Sequence, residues 1–291
     1  MLTAEFAVRD YDLAATLASG QAFRWKLLDG AWEGVVGPRW VRLEQRDAGI
    51  AASVAEPVTD WVWLEDYLQL RVPLDSVLLS FPDDEPMRLS VSACRGLRLL
   101  RQDPWECLAS FIFSVTKQIV QIQQIVGLLC ERYGQPLRVP EGHAPAFAFP
   151  TADRLAACSE QELRDCKMGF RAPNLLRTAR IVAEGGLPLA SLHLQPLEDA
   201  RRALMDLPGV GRKIADCALL FGCGFQQAFP MDVWILKALR QLYFPKRRVT
   251  LKRLMRFSQT HFGPYAGYAQ QYLFHYMRTR PRGSHRTGSA A

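Results

Sequence analysis

The sequence predicts an α+β protein, with an N-terminal antiparallel β domain over residues 1–86 and a mostly helical domain over residues 87–280. Three observations predict it. Short runs rich in Val, Leu and Trp, separated by turn residues, fill the first third. From about residue 87 the hydrophobic period becomes helical. Asp103-Pro104-Trp105-Glu106 then reads as a helix start, with Asp as N-cap, Pro at the first position and Glu at the third.

The expected strands cover residues 24–28, 32–36, 40–44 and 50–54, and Asp29-Gly30, Gly37-Pro38 and Asp47-Ala48-Gly49 supply the turns of a meander. Residues 61–79 read as helical cover for one sheet face. Residues 107–133 are long and apolar enough for a central helix pair. Further helical patterns occupy 160–167, 173–184, 196–206, 212–222, 232–243, 250–261 and 264–277. The last eleven residues, 281–291, read as a disordered, solvated tail.

Composition narrows the function classes. A chain of 291 residues that is 49% hydrophobic builds a substantial core and is not a disordered protein. Its apolar runs fall short of the roughly 20 residues that span a bilayer, and no membrane partner is expected. The opening MLTAEFAVRD carries an acidic residue and no long apolar stretch, so secretion is not expected. The expected setting is the cytoplasm or nucleoid of a bacterium, or the nucleus of a eukaryote. Seven scattered cysteines without a CxxC pair favour a reduced compartment and indicate neither a disulfide framework nor an iron–sulfur centre. A net charge of +7 matches an electrostatic footprint for phosphates.

Leu207-Pro208-Gly209-Val210-Gly211-Arg212-Lys213 lies between two helical patterns, in a helix–hairpin–helix over about residues 200–222. Gly209 and Gly211 permit a tight turn and close approach of another backbone. The second helix opens at about Arg212, so its unpaired N–H groups suit an anion such as a DNA phosphate. This pattern resembles the helix-hairpin-helix element, which grips a DNA backbone without reading sequence. Lys213 heads that second helix, and Asp232 follows in Pro230-Met231-Asp232-Val233-Trp234. The combination resembles the HhH-GPD superfamily of base-excision glycosylases, in which a lysine at position 213 marks members with lyase activity.

The pair suits the reaction. Departure of a base from its sugar builds positive charge, which the Asp232 carboxylate can stabilise. The Lys213 amine can attack C1′, form a Schiff base and lead to β-elimination. Attack needs a neutral amine, favoured by desolvation and by the helix N-terminus and opposed by a nearby carboxylate. Asp232 can also cap its own helix.

Three further segments sharpen the resemblance: Ser19-Gly20-Gln21-Ala22-Phe23-Arg24-Trp25, the stretch around Asp103-Pro104-Trp105, and Gly263-Pro264-Tyr265-Ala266-Gly267-Tyr268-Ala269-Gln270. In order and spacing they resemble the eukaryotic-type 8-oxoguanine DNA glycosylase/AP lyases, over residues 10 to 278. That resemblance implies the β domain packed on the helical HhH-GPD domain, with duplex DNA carrying a damaged purine bound at their junction by a monomer. It implies base recognition by Gly20, whose main-chain oxygen meets the N7–H of the lesion, and by Gln270, Phe274 and Cys217. Gln270 and Phe274 stand four apart and share a helix face, as do Lys213 and Cys217. Gly209, Gly211 and Arg212 inherit the backbone contacts, and Arg171 and Phe170 those to the opposite cytosine and the base stack. Thr116 and Gln121 replace the asparagine and second cytosine-reading arginine usual in the family, and Trp234 stands where a histidine is usual. The resemblance also implies a structural cation on the carbonyls of Met205, Leu207 and Val210, with no catalytic metal or other cofactor. Two alternatives stay open: a glycosylase for another alkylated or oxidised purine, and a non-enzymatic DNA-binding hairpin module.

Overall fold

The computed structural model describes residues 1–280; the tail expected over 281–291 lies outside the described residues. Strand β1 (Leu2–Ala7) and helix α1 (Leu13–Ala18) precede the meander β2 (Lys26–Leu28), β3 (Ala31–Val36), β4 (Arg39–Arg46) and β5 (Gly49–Val54). The five strands form one antiparallel sheet in the order β1-β5-β4-β3-β2. Period-two burial explains its inner face: Val41 and Leu43 of β4 and Ile50, Ala52 and Val54 of β5 are buried while Arg42 and Ser53 are not. Helix α2 (Val62–Leu68) lays Leu64 and Leu68 on that face. α3 (Leu74–Leu79) is a separate helix, so the single helical stretch expected over 61–79 is corrected to two. Gln69 at φ 54° closes the first with a left-handed residue, and Pro73 cannot continue it.

Helix α4 (Glu85–Cys94) begins on the N-cap Asp84 and buries Met87, Ser90 and Cys94 along one face, which packs on the C-terminal helix. The boundary expected between residues 86 and 87 thus falls in the first turn of α4. The larger apolar core also reaches back to Ala15, Phe23, Leu74 and Val77, so the β unit and the helical unit share side chains along their junction.

The helical unit continues with α5 (Pro104–Phe113), α6 (Ile119–Tyr133), a hairpin of β6 (Pro136–Leu137) and β7 (Ala146–Phe147), α7 (Ala152–Ala156), α8 (Glu160–Leu163), α9 (Ala172–Ala183), α10 (Leu197–Met205), α11 (Arg212–Cys217), α12 (Val233–Ala238), α13 (Leu251–His261) and α14 (Ala266–Thr279). The start predicted at Asp103 is present, with its carboxylate accepting the Glu106 N–H at 2.8 Å. Helices α8, α11 and α12 each run on into a wider π turn, through Met168, Cys223 and Tyr243 respectively. Among the described residues no helix is long and apolar enough to cross a membrane. All seven cysteines are buried and unpaired.

Candidate functional site

The hairpin joins α10 to α11 as the sequence predicts. Gly209 takes φ 75°, and a Cβ there would lie 2.3 Å from the Asn174 amide of α9. Only glycine combines that left-handed turn with so close a neighbour. Gly211 is different: it is the extended N-cap of α11, and a Cβ on it would meet nothing within 4 Å. The open side of the hairpin is therefore at Gly211, beside Arg212 and Lys213. Behind it, Arg201 of α10 donates to the buried Asp216 of α11 at 2.6 Å, and Arg212 stands 3.8 Å from the same carboxylate. This buried pair fixes the angle between the two helices.

Lys213 is half-buried, with its Nζ 4.9 Å from the centroid of the Phe111 ring. Phe111 in turn stacks on Phe221 and meets Phe23 edge-on, so two further rings from other segments hold the ring under the amine. Cys217, one turn along α11, is buried and within hydrogen-bonding reach of Lys213. Burial pushes its thiol up to about 12, so it is neutral near pH 7. The Lys213 and Asp232 charges both act on Cys217, so the amine, thiol and carboxylate are electrostatically coupled.

Asp232 is half-buried and is the N-cap of α12, accepting the Ile235 N–H at 2.8 Å. Burial raises its pKa above the ordinary carboxylate value; the Ile235 N–H, Lys213, the Trp234 N–H and Arg278 oppose that shift. Capping and availability to the site are thus compatible. Trp234 lies under Lys237, 5.4 Å from ring centroid to Nζ.

Gly20 faces this cluster from the β unit. At φ 80° it follows Ser19, whose carbonyl accepts from Gln271 of α14 at 3.1 Å, and precedes the buried Gln21. Gln21 donates to the carbonyls of Thr16 and Arg98 and accepts the Leu100 N–H. These bonds hold the turn across the junction of the two units. A Cβ on Gly20 would fall 2.7 Å from Ile119 Cδ1. Gly20→Ala is therefore expected to cost about 1–2 kcal/mol of stability from the left-handed backbone alone. The denaturant midpoint checks this, and an unchanged midpoint contradicts it.

Helix α14 supplies the far wall. Gln270 is buried, and its Oε1 has no hydrogen-bond partner. A buried polar atom in that state is costly unless a ligand completes it. Phe274, one turn on, is half-buried, and the Arg278 guanidinium lies 5.3 Å from its ring centroid.

The remaining predicted residues lie apart from this cluster. Phe170 is 64% exposed, and Arg171 sits over its ring at 4.9 Å with a buried, unpartnered Nε. The turn before them carries Lys167 at φ 64° and Gly169 at φ 60°. Thr116 lies in the α5–α6 connection and Gln121 in the first turn of α6. Gln121 accepts the Gln118 N–H at 2.8 Å, so its side chain caps α6. Thr116 takes φ 65°, which a β-branched side chain opposes. Thr116→Asn is expected to raise stability by about 1 kcal/mol, because asparagine tolerates that region. A melting temperature equal to or below that of the parent protein contradicts it.

Three residues of the site lie outside the sequence motifs. Phe111 and Ile119 reach it only through tertiary packing. Arg278 has a signal: it stands four after Phe274 and eight after Gln270, on one face of α14.

Residues 4–108 match the family described as 8-oxoguanine DNA glycosylase, N-terminal domain, and residues 110–264 the family described as HhH-GPD superfamily base excision DNA repair protein. The chain is 32% identical to the N-glycosylase/DNA lyase OGG1 of Arabidopsis thaliana, across 90% of this chain and 76% of that protein. It is 30% identical to a probable N-glycosylase/DNA lyase of Methanothermobacter thermautotrophicus, across 93% and 95%. Among solved structures it resembles the 8-oxoguanine glycosylase/lyase of Clostridium acetobutylicum in complex with double-stranded DNA containing cytosine opposite 8-oxoguanine. There the TM-score is 0.86 and the identity 30%, across 96% of this chain and 98% of that one.

Proposed function

Because the chain belongs to the HhH-GPD superfamily of base excision DNA repair proteins, with an 8-oxoguanine DNA glycosylase N-terminal domain ahead of it, we propose that it is a bifunctional DNA glycosylase/AP lyase that excises 8-oxoguanine from duplex DNA. The observation that carries this reading is the Lys213 amine at the head of α11, over the Phe111 ring and beside the open end of the hairpin, with the Asp232 carboxylate electrostatically coupled to it.

The hairpin holds the phosphate backbone through Gly209, Gly211 and Arg212, and the damaged nucleotide turns out of the stack. Extrusion costs a few kcal/mol, which the pocket offsets. The Gly20 carbonyl accepts the N7–H that 8-oxoguanine has and guanine lacks. Gln270 bonds the Watson–Crick edge with the Oε1 that is otherwise unpartnered. Phe274 and the neutral thiol of Cys217 are the apolar walls. Lys213 attacks C1′, and the N9–C1′ electron pair leaves with the base, which takes up a proton. Asp232 stabilises the positive charge that builds on the sugar in this step. The amine loses a proton and the sugar ring opens to a C1′ iminium. Removal of a C2′ proton then expels the 3′ phosphate and nicks the strand.

Phe170 wedges into the gap and Arg171 meets the opposite base. With Gln121 capping its own helix, Arg171 is left as the single arginine of this pair. The carbonyls of Met205, Leu207 and Val210 are neutral oxygen donors suited to a hard structural cation. Leu207 already spends one lone pair on the Val210 N–H at 3.1 Å, so such an ion takes the other. The working unit is a monomer acting on duplex DNA with a damaged purine.

Single-turnover release of the free base from an 8-oxoguanine duplex tests the reading; no release would refute it. Gln270→Ala is expected to slow that release by roughly 10–100-fold, on the scale of one missing hydrogen bond in a substrate pocket. Affinity for undamaged duplex should stay unchanged. Equal loss of both would remove Gln270 from base recognition.

A further inference from the structure

One charge in the pocket is not used by the chemistry above. The Arg278 guanidinium lies over Phe274 at 5.3 Å, and its Nη1 is 3.4 Å from where a Cβ on Gly20 would be. It therefore stands between the aromatic wall and the glycine turn, and it acts electrostatically on Asp232. We propose that Arg278 is a specificity residue of the lesion pocket, admitting neutral purines that carry carbonyl oxygens and repelling cationic, ring-alkylated ones.

The chemistry of the two lesion classes differs in sign. A guanine oxidised at C8 is neutral and presents carbonyl oxygens at C6 and C8. A purine alkylated at a ring nitrogen while still attached to sugar carries a positive charge. A guanidinium offers five N–H donors and no acceptor, so it bonds the carbonyl oxygens of the first without opposition, whereas the net positive charge of the second works against it even where a C6 carbonyl remains. An aromatic wall alone would favour the second class through cation–π attraction. Here the wall is already covered by a cation of the protein.

The surrounding charges do not cancel this preference. Asp232 is the acidic group acting on Arg278, and its carboxylate is shared among the N–H groups of Ile235 and Trp234, Lys213 and Arg278. His275, beside Arg278, has its pKa lowered by burial and by Arg278, which outweigh the opposing charge of Asp12 at the N-cap of α1, and so stays neutral near pH 7. No Asp or Glu follows Asp232 in the chain, so α13 and α14 bring no counter-charge. The one carboxylate acting on Arg278 is thus already engaged by backbone N–H groups and by Lys213.

The inference rests on the glycosylase reading and is separable from it. Single-turnover excision is measured on duplexes carrying 8-oxoguanine and, separately, 7-methylguanine, for the parent protein, Arg278→Gln and Arg278→Lys. Arg278→Gln is expected to slow 8-oxoguanine release and speed 7-methylguanine release, narrowing their ratio by about tenfold or more. Arg278→Lys keeps the charge and should keep most of the ratio. A gain on the cationic base is a result that structural damage would not produce, and melting temperatures verify the fold. An unchanged ratio in Arg278→Gln, or equal narrowing in both variants, overturns the assignment of Arg278. Absence of 8-oxoguanine release from the parent protein overturns the glycosylase reading instead.

Discussion

Lys213→Gln is expected to abolish strand nicking and to slow base release by on the order of 10⁴-fold, the scale on which loss of a nucleophile acts. The fold should survive. Lys213 is half-buried at the head of α11, and Gly211 remains the N-cap of that helix. The attraction between the amine and the Phe111 ring is worth only about 0.5–1 kcal/mol. The buried Arg201–Asp216 pair that sets the hairpin angle is untouched. Affinity for undamaged duplex, measured by titration at fixed salt, should therefore stay within a few-fold. A variant that still nicks an abasic strand at the parent rate would remove Lys213 from the chemistry.

Asp232→Asn is expected to lower the rate of base release by roughly 10²–10³-fold, typical of losing one electrostatic partner of a transition state. Asparagine caps a helix as well as aspartate does, so stability should hardly change. Asp232→Ala removes cap and charge together and should cost a further ~1 kcal/mol of stability. The two variants together separate the cap on Ile235 from the role toward the sugar.

The same residue sets a pH dependence. Burial raises the Asp232 pKa, and the carboxylate is the form that stabilises a cationic sugar. Activity should fall as pH drops through a value above the ordinary aspartate pKa, and Asp232→Asn should lack that limb. The stability linkage has the opposite sign: a raised folded pKa favours the fold at low pH. That contribution is lost as pH rises through the folded pKa. Single-turnover rates against pH measure the first effect; a limb at or below the ordinary carboxylate value would contradict it.

The β meander, the hairpin and most helices of the C-terminal half are legible in the sequence because their signals are local. Turn residues punctuate residues 29–49, and Asp103-Pro104 marks a helix start. β1 is not legible. Leu2, Ala4 and Phe6 do alternate with Thr3 and Glu5, but the strand lies at the sheet edge and buries only Ala4 and Phe6 in part, so its apolar signal is weaker than that of β4 and β5. The hairpin of β6 and β7 has two residues per strand, too few to show a period.

Lys213, Cys217 and Asp232 are readable from one helix face and one loop. The floor under the amine is not, because Phe111 is remote in sequence and meets Lys213 only after α5 and α11 pack, and Phe23 reaches Phe111 from the β unit. Gln121 matches a base-reading position by its place among the motifs, yet its side chain caps α6. A helix start at Gln118 offers that local bond, and local side-chain–backbone bonds compete with long reach. Arg278 lies on the readable face of α14, but its meaning depends on Gly20, which arrives from the other unit.

Borohydride reduction during reaction with a duplex carrying one 8-oxoguanine tests the role of Lys213 most directly. The expected result is a covalent protein–DNA adduct, mapped by peptide mass to Lys213, absent with undamaged duplex and absent in Lys213→Gln. Release of the base with no adduct, or an adduct mapped to another amine, would contradict it.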